Sequence, residues 1–129
     1  MNRTKAIYPG TFDPITNGHL SIIKRSLKIF DNLTIAILNN PQKSPLFPID
    51  ERICMIKKSI KDMSNLEIDT FDGLLVDYAI QKKSNVIIRG LRALSDFEYE
   101  FQMSLMNRKL NREVQSIFLM TDYKWFYTT

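Results

Sequence analysis

Cysteine is almost absent from this sequence, with Cys54 standing alone. One thiol can form no internal disulfide and leaves nothing for a thiolate zinc cage. Beside Ile53 and Met55, it is expected to be a buried helical thiol in a reducing, cytoplasmic setting. Histidine is as scarce, with His19 the only one. No apolar run approaches the roughly 20 residues of a membrane span. The opening Met1-Asn2-Arg3-Thr4-Lys5 lacks the apolar core and small-residue cleavage site of a signal peptide. Neither charge sign dominates: 18 Lys+Arg stand against 14 Asp+Glu, a net +4. The cations are scattered among acids, so no basic arm marks a nucleic-acid or membrane partner. A few local contacts to small anions are expected instead.

The 129 residues carry no repeat, linker or low-complexity run, and suit one domain over 1–129. Ala6-Ile7-Tyr8 reads as a first strand ending at Pro9. Leu20, Ile23, Leu27 and Phe30 then recur at helical spacing, with Thr16 or Asn17 able to cap that helix. Leu33–Leu38 is a continuous apolar run, as expected of a strand buried on both faces. After a proline-punctuated loop over Asn39–Pro48, Ile49, Ile53, Ile56 and Ile60 mark a second helix. Leu66–Phe71 alternates as a strand and Asp72-Gly73 turns the chain. Leu75, Val76, Ala79 and Ile80 outline a third helix. Val86-Ile87-Ile88 is a fourth strand, with Arg89-Gly90-Leu91-Arg92 leaving its end. A long helix is predicted from about Asp96 to Leu110, with Phe97, Phe101, Leu105 and Met106 on one side. Ser116–Met120 is a fifth strand. Strand and helix alternate throughout. This predicts an α/β fold: a Rossmann-like, doubly wound, five-stranded parallel sheet with helices on both faces.

In such sheets ligands bind beyond the C-terminal ends of the strands. Three segments there share one rim. The first is Tyr8-Pro9-Gly10-Thr11-Phe12-Asp13-Pro14-Ile15-Thr16-Asn17-Gly18-His19, dense in turn residues and leading into a helix N-terminus, a ready place for a phosphate. Gly18 admits close approach to the backbone, and the His19 imidazole can donate to an anionic oxygen. Gly10 and Gly18 build neither G-x-x-x-x-G-K-[ST] nor G-x-G-x-x-G, which disfavours a Walker-type ATPase and a standard dinucleotide dehydrogenase. The second segment carries Lys43, which spacing alone leaves open between a solvated lysine and a ligand contact. The third carries Arg89 and Arg92, suited to forked phosphate recognition; the competing reading is ion pairs with Asp96, Glu98 or Glu100. Asp96 and Glu100 share a helix face, either as acid/base carboxylates or as acids favoured by the helix dipole. Phe97, Tyr99 and Phe101 are expected to pack rather than to stack on bases. No nucleophile–base pair and no metal-ligand cluster stands out.

The stretch Tyr8–His19 resembles the opening of the bacterial phosphopantetheine adenylyltransferases, in their form of the [HT]-x-G-H signature of a nucleotidyltransferase superfamily. Ile88-Arg89-Gly90-Leu91-Arg92, Asp96-Phe97-Glu98-Tyr99-Glu100 and Met106-Asn107-Arg108 resemble the later motifs of the same family, in order over essentially the whole chain. The resemblance implies transfer of AMP from ATP to 4′-phosphopantetheine, in coenzyme A synthesis. It implies that Thr11 touches both substrates, that Phe12 offers its backbone to ATP, and that His19 binds the ATP phosphates. Lys43, Leu75 and Arg89 would hold phosphopantetheine, while Gly90, Leu91, Arg92 and Glu100 would line the ATP site. His19, Lys43 and Arg92 would stabilise the transition state. It also implies Mg2+ with ATP, a homo-hexamer and coenzyme A as a feedback ligand. Trp125, Phe126, Tyr127, Thr128 and Thr129 match only the start of the motif that closes over ATP in the family. Tyr127 and Thr128 differ from its usual residues, and the family's C-terminal helices have no counterpart in these 129 residues. Two other functions fit the same motifs: a nucleotidyltransferase with another acceptor, such as nicotinamide mononucleotide or glycerol phosphate, and a nucleotide-binding module without turnover.

Overall fold

The computed structural model describes residues 4–39, 44–91 and 94–120, with side chains of 94–97 left aside. In chain order the elements are β1 (Lys5–Gly10), α1 (Asn17–Ile29), β2 (Asn32–Leu38), α2 (Ile49–Ser59), β3 (Leu66–Phe71), α3 (Leu75–Gln81), β4 (Val86–Leu91), α4 (Leu94–Leu110) and β5 (Gln115–Met120). All pairings are parallel and the sheet order is β3-β2-β1-β4-β5. The chain winds outward from β1 to β3, then crosses back to β4 on the other side of β1. That reversal puts a topological switch point between β1 and β4.

Alternation along the central strands fills two cores. Ala6, Tyr8, Leu33, Ile35, Ile37 and Ile88 face α1 and α2, against Ile22, Ile23, Ile56 and Ile60. Ile7 and Ala36 point to the other face, against Phe71, Tyr78 and Ala79 of the β3–α3 unit. Ile87 joins Val76 and Val114 there. Both faces are therefore covered, as a parallel sheet requires. No helix among the described residues is long and apolar enough to cross a membrane.

Several expectations need correction. β1 runs through Pro9 to Gly10 and stays in register with β2, Pro9 opposite Ala36. On the β4 side the ladder is a single bridge, Ile7 to Ile87. Arg89, Gly90 and Leu91 do not leave β4 but belong to it, paired with Phe118, Leu119 and Met120 of β5. Cys54 is exposed rather than buried. The inward face of α2 is set by Arg52 and Ile56, and Cys54 lies two residues from each, on the opposite side of a 3.6-residue turn. Ile80 is exposed because α3 turns Val76, Tyr78 and Ala79 inward. On α4, Tyr99, Phe101, Leu105 and Met106 are exposed, not packed into the core.

Candidate active site

The β1–α1 connection is held from within. Thr16 is the N-cap of α1, and its side chain accepts from the His19 N–H at 3.3 Å. His19 returns the contact: its Nδ1 accepts the Thr16 N–H at 2.9 Å, completing a capping box with histidine in place of the usual Glu or Gln. An Nδ1 used as acceptor places the proton of the neutral imidazole on Nε2. His19 therefore sits in the first turn of α1, where the helix dipole favours anions, as an oriented donor.

Phe12 sets the shape of the loop. Its side chain is 1% exposed while its φ is 48°, in the left-handed region. A bulky residue there costs on the order of 1–2 kcal/mol and persists only where its surroundings hold it. The ring lies edge-on to Tyr8 at 5.4 Å and 4.8 Å from the His19 ring. Gly10 suits this packing, because a Cβ would lie 3.1 Å from the Phe12 ring and the ring would have to give by a few tenths of an ångström.

Two struts fasten the same loop, one to the stretch before α2 and one to α2 itself. The Asp13 carboxylate accepts the Leu46 and Phe47 amides at 2.6 and 2.9 Å. Arg52, only 4% exposed, donates from Nη1 to the Thr11 carbonyl at 2.9 Å. Neither residue was singled out by motif. A signal for Arg52 exists, since it stands at i+3 from Ile49 and i−4 from Ile56, a core-facing position where a charge is unexpected.

Across the switch point, Arg89 makes a forked ion pair with Glu100: Nε to Oε2 at 2.5 Å and Nη2 to Oε1 at 2.8 Å. The pair joins β4 to α4. It engages the Nε–Nη2 edge of the guanidinium and leaves the Nη1 end for a ligand. Gly90 is small for a packing reason as well, because a Cβ there would meet Ile22 of α1 at 3.1 Å.

These pieces surround one cavity of about 920 Å³ at the C-terminal edge of the sheet. Of the residues selected from sequence, Thr11, His19, Leu75, Arg89, Gly90 and Glu100 line it. Tyr99, Met103 and Asn107 of α4 close another wall. Phe12 and Leu91 are buried beside the cavity rather than lining it. Lys43, Arg92, Trp125, Phe126, Tyr127, Thr128 and Thr129 lie outside the described residues. The geometry offers backbone and side-chain donors to anions at a helix entrance, an arginine facing them, and an apolar lining between. No described group of three or more His, Cys, Asp or Glu converges to cage a metal.

Known proteins resemble this chain in sequence and in fold. The cytidylyltransferase-like family model matches residues 7–129. A phosphopantetheine adenylyltransferase of Desulfatibacillum aliphaticivorans is 61% identical over 129 residues, which cover 100% of this chain and 73% of the relative. Another, from Syntrophus aciditrophicus (strain SB), is 59% identical over 124 residues, covering 96% of this chain and 75% of that one. Among solved structures, the lipopolysaccharide core biosynthesis protein from Thermoplasma volcanium GSS1 matches with a TM-score of 0.63 at 19% identity, covering 94% of this chain and 98% of its own. At that identity the likeness is one of fold.

Proposed function

The chain belongs to the phosphopantetheine adenylyltransferases, within the cytidylyltransferase-like family, and from that premise we propose that it transfers AMP from ATP to 4′-phosphopantetheine. The products are dephospho-coenzyme A and pyrophosphate. The observation that carries this reading is the meeting of the Thr11–His19 loop with Arg89 and Glu100 around one cavity at the switch point.

In this reading an oxygen of the phosphopantetheine phosphate attacks the α-phosphorus of ATP. A new P–O bond forms to the acceptor, and the bond to the β,γ-diphosphate breaks. The attacking phosphate is already an anion, so no protein base is needed. Positioning and charge neutralisation suffice. Thr11 stands between the substrates, and Nε2–H of His19 donates to the phosphates of ATP. Arg89, oriented by Glu100, receives phosphopantetheine with Lys43 and Leu75. Phe12, Gly90, Leu91, Arg92, Glu100 and the segment Trp125–Thr129 serve the nucleotide. Lys43 and Arg92 join His19 in stabilising the charge that develops on the transferring group.

Mg2+ with ATP is part of the proposal. It would be held chiefly by the nucleotide's own phosphates, as Mg2+ is in phosphoryl-transfer sites. We also propose a cytoplasmic homo-hexamer that takes coenzyme A as a feedback ligand. Pyrophosphate release measured with phosphopantetheine, nicotinamide mononucleotide and glycerol phosphate as acceptors tests the assignment. Turnover with phosphopantetheine alone is expected, and equal turnover with another acceptor, or ATP binding without release, would sink it.

A further inference from the structure

We propose that Arg52 is a positioning residue for the reaction, acting through the Thr11–Phe12 peptide; this rests on the reading that Thr11 and Phe12 meet the substrates. Arg52 is buried on α2, and Nη1 donates to the Thr11 carbonyl at 2.9 Å. Its Nε is buried with no partner. A buried guanidinium with an unmet donor is costly, so this is a poor way to gain stability alone. What the contact does fix is the plane of one peptide. In a planar trans peptide the C=O and the following N–H point in opposite directions. Holding the Thr11 carbonyl toward α2 therefore turns the Phe12 N–H away from α2, and that N–H has no acceptor among the described residues.

Phe12 needs that hold, because it sits at φ 48°. Its ring anchors the far side of the peptide in the core, beside Tyr8 and His19. Arg52 anchors the near side. Together they keep Thr11 at the cavity wall with its hydroxyl in one place and the Phe12 N–H turned away from α2. Asp13 secures the next residues to the same stretch before α2. Without Arg52 the peptide can rotate out of its strained orientation while the fold remains.

The test uses Arg52→Met, which keeps the apolar stem and removes the donors, and Arg52→Lys, which keeps one donor. Steady-state kinetics with both substrates are combined with thermal melting and a double-mutant cycle against Thr11→Val. The Met variant is expected to lose on the order of 10²-fold in kcat with little change in either KM, the signature of lost orientation. The Lys variant should fall between it and the wild type. In the Thr11→Val background the loss on changing Arg52 should shrink, because the hydroxyl it places is gone. A folded Met variant with wild-type kcat, or additive losses, overturns the proposal. Should the Met variant not fold, the cycle is run with Arg52→Lys, where additive losses or a wild-type kcat overturn it equally. A Thr11→Val enzyme with undiminished kcat would instead remove the reading beneath it, whatever Arg52 does.

Discussion

At His19 the imidazole caps α1 through Nδ1 and carries its proton on Nε2, so substitution can separate a structural effect from a chemical one. Alanine removes both. His19→Ala leaves the Thr16 cap in place but removes the acceptor of the Thr16 N–H, so it should lower the melting temperature slightly. It should also lower kcat by about 10²–10³-fold, as for loss of an oriented transition-state donor. Glutamine restores an acceptor at the third helical position but no donor of the same reach. His19→Gln should therefore melt near the wild type and still lose most of kcat. A Gln variant that turned over normally would reduce His19 to a capping residue. The cap at Thr16 was legible in the sequence, whereas the return bond from the His19 side chain was not, because a capping box ordinarily carries Glu or Gln at that place. Arg52 was not, because one buried donor aimed at a distant carbonyl leaves only a misplaced charge in a helical pattern. Cys54 misled for the converse reason: apolar neighbours in sequence are not neighbours in space on a helix.

Elements were more legible than residues, since periodicity alone separates buried strands from amphipathic helices. The exceptions are ends set by partners: Pro9 continues β1 because β2 holds it, and Arg89–Leu91 continue β4 because β5 does. The β3–α3 pair carries a polar network that no motif announced. Tyr78 Oη donates to Asp69 at 2.8 Å, and Lys82 bridges Glu67 at 2.8 Å and Asp69 at 3.6 Å. Burial pushes the Asp69 carboxyl up, but hydrogen bonds from Tyr78 and the Thr70 N–H and the charge of Lys82 leave it below its ordinary 3.8. Hydrogen bonding to Glu67 holds Lys82 above its ordinary 10.5, against a smaller opposing effect of burial. The signs give a pH window. A lowered carboxylate stabilises the fold above 3.8 and loses that contribution as pH falls through its folded value. A raised lysine stabilises below 10.5 and loses its contribution as pH rises through its folded value. The urea midpoint should thus be flat between these limits and fall at both. Asp69→Asn should lower the plateau and weaken the acid limb most, while the activity of the folded enzyme stays unchanged. An acid limb as steep in Asp69→Asn as in the wild type would contradict this account.

At the scale of the molecule, α4 is where sequence reasoning and structure differ most, and the difference bears on assembly. One face of this helix, with Tyr99, Glu100, Met103, Asn107 and Leu110, lines the cavity. Phe101 and Leu105 lie off that lining and are 46% and 49% exposed. A helix apolar on more than one side is expected to be covered on more than one side. Sequence could place the apolar residues on α4 but not say which of them the chain's own core would reach, because that depends on a sheet edge formed elsewhere. In the proposed homo-hexamer the outer side of α4, with Leu105, meets a neighbouring copy, so that the cavity wall and the contact share a single helix. Leu105→Glu places a charge on the outer side without touching the cavity lining. It should lower the mass found by sedimentation equilibrium toward that of one chain. Because α4 also holds Glu100 against Arg89, it should raise KM for phosphopantetheine as the assembly dissociates, and activity should then depend on protein concentration. A Leu105→Glu protein with the wild-type mass would remove α4 from the interface. A monomer with wild-type KM would leave assembly in place but sever it from the site.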